Sequence, residues 1–197
     1  MSRGLIIFVV VAALLGMYGC SSYNGLVQKD NDVDKTWANV QTQYQRRADL
    51  IPNLVRTVQG VANFEKSTLQ SVIEARASAT SIKLSADQLT PENIQKFQAA
   101  QDQLGGSLSR LLAVSENYPQ LKATQNFSEL QAQLEGTENR ITAARNDFNG
   151  VVGTYNGSVR AFPNNIFAGI FGFQRKGFFE ASAAAQNAPT VDFGTQK

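Results

Sequence analysis

Histidine is missing from all 197 residues, and that absence governs which chemistry the remaining side chains could perform. It removes the usual general base, the usual activator of a serine or cysteine nucleophile, and the commonest zinc ligand. Ser-His-Asp and Cys-His catalysis are excluded with it. Paired carboxylates could still act as acid and base across a cleft. The candidates are Glu65 and Glu138, yet the acidic residues read as scattered helix-surface positions. Arg46, Arg47, Asp49, Glu65, Arg76, Glu116, Glu138, Arg140 and Arg145 suit inter-helix ion pairs, with an anion site as the competing reading. No EF-hand loop, P-loop or dinucleotide fingerprint occurs, and the di-iron motif of helical carboxylate proteins needs histidine. The expectation is a chain with no catalytic residue, no cofactor and no metal.

The other reactive side chain is Cys20, and it belongs to the chain's first element. Residues 4–28 carry no charge, and residues 5–15 are a continuous apolar run behind Arg3. A spanning helix needs roughly 20 apolar residues, which residues 4–23 supply. The same stretch fits a signal peptide, and Leu14-Leu15-Gly16-Met17-Tyr18-Gly19-Cys20 resembles a lipoprotein signal in which the cysteine is acylated after cleavage. Tyr18 is bulky for that pattern. Two readings therefore stand side by side, a spanning helix and a lipid attachment at Cys20, and both hold the chain at a membrane.

Composition bounds the rest. With 43% hydrophobic residues the chain can bury one sizeable core, and a lone cysteine forms no internal disulfide, so packing alone must hold it. A net charge of +2, with 18 basic and 16 acidic residues interspersed, argues against nucleic acid as a partner. The expected division is a membrane or signal segment over 1–23, a helical bundle over 24–193 and a tail over 194–197.

Apolar residues at intervals of three and four, Val33, Trp37, Val40, Tyr44, Ile51, Leu54, Val58, Val61, Leu69, Val72 and Ile73, predict a first helix over residues 31–82, kinked at Pro52 and weakened at Gly60. Thr90 as cap and Pro91 at the first helical position open a second helix that stops before Pro119. Asn126, paired with Glu129, is the expected cap of a third. Its seam is Phe127, Leu134, Ile141, Phe148, Tyr155 and Phe162 at seven-residue spacing, with Leu130, Thr137, Ala144, Val151 and Ser158 as second positions. The fold class is all-α: a long antiparallel bundle of three long helices plus a short C-terminal element, here a helix around residues 180–186, with an extended tail after Pro189.

One stretch fits no helix stripe. Residues 166–179 hold Phe167, Phe171, Phe173, Phe178 and Phe179 beside Arg175 and Lys176. The functional reading is a patch that touches membrane or a partner, with the two cations near lipid head groups. The structural reading is that the phenylalanines cover the open end of the bundle.

Tyr23-Asn24-Gly25-Leu26-Val27, Trp37, the run Gln45-Arg46-Arg47-Ala48-Asp49-Leu50-Ile51-Pro52-Asn53-Leu54-Val55, Glu116-Asn117-Tyr118-Pro119, Glu138-Asn139-Arg140-Ile141, Tyr155-Asn156, Phe162-Pro163 and Val191-Asp192-Phe193 resemble the LemA family of bacterial membrane proteins. The resemblance covers nearly all of residues 23–193. It implies one N-terminal membrane segment followed by a long antiparallel bundle, in a family with no agreed active site. The functional expectation is a membrane-anchored scaffold or adaptor for protein partners or for self-assembly. The alternative is an envelope lipoprotein that binds a small ligand or lipid between its helices.

Overall fold

The computed structural model describes residues 3–60 and 64–180. Within them lie α1 (Arg3–Gln59), α2 (Lys66–Ser81), α3 (Pro91–Ser115), the single-turn α4 (Pro119–Lys122), α5 (Gln125–Arg160) and α6 (Asn164–Phe171), with a 3-10 turn, Ala86–Gln88, between α2 and α3, and no strand. The fold is an all-α bundle, but its long helices divide differently from the expectation. The predicted helix over residues 31–82 is two helices, and the first of them does not start at residue 31. It begins in the apolar N-terminal run and continues for 57 residues, about 85 Å at 1.5 Å per residue. The expected helix over residues 180–186 and the tail after Pro189 lie, from residue 181 on, outside the described residues, as does Val61.

The first helix ends at Gln59, before Gly60, and not at Pro52, and a single hydrogen bond explains why. Proline at 52 cannot donate to the carbonyl of Ala48 four residues earlier. Arg76 of α2 donates its Nε–H to that same carbonyl at 2.8 Å. The orphaned acceptor is thereby satisfied, and buried Ile51 and Leu54 on either side of the proline help keep the helix unbroken by packing.

Two apolar clusters make the core. One gathers Leu26, Val33, Trp37 and Val40 of α1, Phe97 of α3 and Ile141, Phe148 and Tyr155 of α5. The other joins Ile51, Leu54 and Val58 of α1, Leu69 and Val72 of α2, Leu104 and Leu111 of α3 and Phe127 and Leu134 of α5. Residue order through the two clusters gives an up-down-up-down arrangement of α1, α2, α3 and α5, in which α1 packs chiefly on α5 and α2 on α3. Buried Arg47 lies where the clusters meet. It donates to Glu138 Oε1 of α5 at 2.8 Å and to Gln101 Oε1 of α3 at 2.6 Å, while Gln101 Nε2 reaches the Ala79 carbonyl of α2 at 3.3 Å. One polar layer thus ties all four helices in a single register.

The α5 seam is buried from Phe127 to Tyr155, but Phe162 is 82% exposed. It lies past the end of α5. The second seam also drifts. Thr137 and Ala144 are buried as expected, after which Val152 and Val159 take the places assigned to Val151 and Ser158. A helix of 3.6 residues per turn falls behind a seven-residue repeat by about 20° per heptad, so the buried stripe moves on by one residue. At the start of α5 the N-cap position is Thr124, not Asn126.

Candidate functional site

Residues 173–180 follow α6 as a non-helical strap. Gly172 adopts a left-handed conformation, φ 79°, at the end of α6 and turns the chain into it. Tyr155 donates to the Gln174 carbonyl and Arg145 to the Glu180 carbonyl, both at 3.0 Å. Ten helical residues, about 15 Å, are therefore matched by six strap residues, so the strap runs extended along α5. Three side-chain amides grip its backbone at both donor and acceptor. Asn156 holds Lys176 with two bonds of 2.9 Å. Asn149 holds Phe179 at 2.8 and 2.9 Å, and Gln98 of α3 holds Glu180 at 2.9 and 3.0 Å. Gly177 donates to the Leu89 carbonyl at 2.8 Å and lies so close to α3 that an added Cβ would meet Pro91 Cα at 2.7 Å. The strap fills the space between α3 and α5 as a non-helical stave.

This placement divides the phenylalanine-rich stretch. Phe179 is buried among Trp37, Phe97 and Phe148, with centroid separations of 5.5 to 6.4 Å. Phe178 is partly exposed on the outer side, with Gly153 nearby. Phe173 is half-buried against Tyr23, and Phe171 meets the same tyrosine edge-on at 4.9 Å. Phe167 packs on Tyr18 at 5.6 Å and covers Gly19, where a Cβ would lie 3.0 Å from its ring. Cys20, the next residue of the unbroken helix, is exposed. Arg175 is exposed. Lys176 turns inward instead of toward any head group.

Around Lys176 the strap, α1, α5 and the loop before α3 enclose a polar cleft of about 410 Å³ lined by Asp30, Asp34, Asp87, Tyr155 and Arg175. The Lys176 ammonium lies 3.1 Å from Asp30 Oδ1, donates to the Ala86 carbonyl at 2.8 Å and sits over the Tyr155 ring. Asp34 Oδ1 is buried without a hydrogen-bond partner among the described residues. Burial first, and then the negative charge of Asp30, push the Asp34 carboxyl above its ordinary range, with Lys176 pulling it back. Burial and the same two aspartates raise the Tyr155 phenol, which keeps it a neutral donor. Of these groups the sequence pattern points to Lys176, Arg175 and Tyr155 but not to Asp30, Asp34 or Asp87. A signal was present in Asn149 and Asn156, which repeat at seven residues immediately beside Phe148 and Tyr155.

The two carboxylates considered for acid-base work do not converge. Glu138 bonds Arg47 at 2.8 Å, and Glu65 faces Arg110 at 3.9 Å near the opposite end of α2 from the cleft. Of the other charges, Arg145 pairs with Asp102 at 3.9 Å. No group of three or more candidate metal ligands occurs among the described residues.

Among the described residues one helix, α1, is long and apolar enough to cross a membrane. Its apolar residues from Leu5 to Val11, with Leu14 and Met17, are exposed, so this stretch is no core helix of the bundle. Comparison with known proteins agrees with a membrane-associated helical protein. The chain is 28% identical over 179 residues to Magnetosome protein MamQ 2 of Paramagnetospirillum magneticum, covering 82% of this chain and 66% of that protein's length. It is 27% identical over 179 residues to Magnetosome protein MamQ of Magnetospirillum gryphiswaldense, with the same coverage. Protein LemA of Metamycoplasma hominis is 21% identical over 178 residues, covering 90% of this chain and 78% of that protein. The LemA family model matches residues 36–193, and the chain belongs to the LemA family.

Proposed function

We propose that the chain is a membrane-anchored scaffold, a helical bundle that presents its outer faces to protein partners or to further copies of itself. The observation that carries this is the unbroken α1, which leaves the apolar segment and enters both core clusters without a linker. A bundle mounted in this way follows its anchor as one rigid body, which suits a role in holding other components at a fixed place on a membrane. The anchor in this reading is uncleaved. Tyr18 and Gly19, which cleavage before Cys20 would remove, carry the packing of Phe167. Crosslinking in native membranes tests the scaffold: adducts to partners or to a second copy are expected, and capture of monomers alone would overturn it.

A second reading, a small ligand bound between the helices, draws on the cleft around Asp34 and its unpartnered oxygen. A thermal-shift screen of small cationic compounds tests it, with a stabilisation expected in the wild type and absent in Asp34→Asn. Equal shifts in both would sink it.

A further inference from the structure

Among the described residues beyond the apolar start of α1, helix α6 is an apolar element that the bundle leaves half uncovered. Residues 161–174 contain no charge, and exposed Arg160 and Arg175 bracket them. One face of α6 is used: Ala168 is buried, and Phe167 and Phe171 pack on Tyr18 and Tyr23 of α1. The other face is bare. Ile166 and Ile170, one helical turn apart, are 52% and 70% exposed, and Phe162, just before the helix, is 82% exposed. Such a stripe loses free energy in water, and something apolar should cover it.

The position of α6 along the chain's anchor says what that is. Tyr18 and Tyr23, the residues it packs against, lie in the last third of the segment from Gly4 to Tyr23, whose roughly 20 residues suffice to cross the hydrocarbon. Tyrosine at this level marks the membrane interface. Asn164, the first residue of α6, accepts from Tyr18 Oη at 3.1 Å and from Ser22 Oγ at 3.0 Å. Those hydroxyls are thus satisfied within the protein, as a low-dielectric setting requires. The bare face is therefore continuous with the lipid-facing surface of α1, and cations flank it at both ends as in helices that lie in an interface.

We infer that α6 is a second, interfacial membrane contact: its Ile166–Ile170 face, with Phe162 just before it, enters the acyl boundary of the same bilayer that α1 crosses. A single helix can rotate and tilt in a membrane. Two contacts joined through Tyr18, Ser22 and Asn164 fix which side of the bundle faces the lipid and which faces the aqueous space. This inference rests on the membrane anchor, not on the scaffold reading, and crosslinking that captured only monomers would leave it intact.

The test uses the full chain with Cys20→Ser and a single fluorophore at Ile170→Cys, reconstituted into phosphatidylcholine and phosphatidylglycerol vesicles. Ile166→Cys serves as a repeat and exposed Gln103→Cys on α3 as the aqueous reference. The proposal expects the Ile170 and Ile166 probes to be quenched by spin-labelled lipid at a depth of roughly 5–10 Å and protected from aqueous iodide, while the Gln103 probe shows the reverse. Iodide quenching at Ile170 equal to that at Gln103 would overturn it. Protection from both quenchers would also overturn it, because a protein surface and not lipid would then cover α6. Unchanged thermal unfolding of each labelled variant establishes that the fold is intact.

Discussion

Replacing Asn156 with alanine removes one complete amide clamp from the strap and leaves the helix that carries it intact. Asn156 is buried, and its side chain donates to the Lys176 carbonyl and accepts from the Lys176 N–H, both at 2.9 Å. Each net hydrogen bond contributes about 1 kcal/mol, and leaving partly buried backbone groups unpaired costs about 1 kcal/mol more for each. The loss should therefore be about 2–4 kcal/mol, or a fall in Tm of about 5–15 °C for a chain of this size. The cost has a ceiling, because the strap can detach locally once the remaining clamps no longer hold it. Asn149→Ala with Asn156→Ala should consequently cost less than the sum of the two. The assay is thermal unfolding of the full chain in detergent micelles, with hydrogen exchange at the Lys176 amide as the local readout. Asn146→Ala, at an exposed position of the same helix, should change stability by less than about 0.5 kcal/mol. If Asn156→Ala behaved like Asn146→Ala and left the Lys176 amide protected, the clamp reasoning would be refuted.

Phe148→Ala empties the centre of the aromatic cluster beside Trp37 and Phe179 and should cost about 3–5 kcal/mol in the same unfolding assay; a loss under about 1 kcal/mol would mean the core is misplaced. Arg76→Met strips the Ala48 carbonyl of its replacement donor and should cost about 1–3 kcal/mol, whereas Arg76→Met combined with Pro52→Ala, which restores the helical donor, should recover much of it. Asp34→Asn should stabilise the protein at neutral pH. Its carboxyl is held above the ordinary value of 3.8 in the fold, so the folded state binds the proton more tightly than the unfolded chain, and stability falls as pH rises through the folded value. The asparagine gain should be full above the folded value and disappear below the unfolded value, which Tm measured across pH would reveal; a gain independent of pH would remove the electrostatic cause.

Much of the bundle was legible because its signals are local. Thr90 and Pro91 open α3 as expected, the Thr90 hydroxyl accepting from the Asn93 N–H at 3.3 Å, and the apolar spacing of α5 identified its buried seam as far as Tyr155. Gly60 and Pro52 are both helix breakers, and which of them breaks the helix depends on whether Ala48 finds a distant donor, a fact of tertiary structure. Phe162 continued the repeat on paper but lies beyond Arg160, the last residue of α5, where helical spacing no longer assigns a face. The strap escaped because an extended segment gripped through its backbone imposes no periodicity of its own. Its recognition is written in Asn149, Asn156 and Gln98, residues that read as surface amides until the strap is seen to bond them. Adjacency in the sequence groups Lys176 with Arg175, whereas successive residues of an extended segment face opposite ways, and it is Lys176 that reaches Asp30.

The intact mass of the protein extracted from its native membrane bears most directly on the claim that the bundle stands on an uncleaved helix running from the bilayer into the core. The unprocessed mass is expected, with Tyr18 and Gly19 retained beneath Phe167. A mass for residues 20–197 carrying acyl chains on Cys20 would contradict it, since Tyr18 and Gly19, against which Phe167 packs, would then be gone.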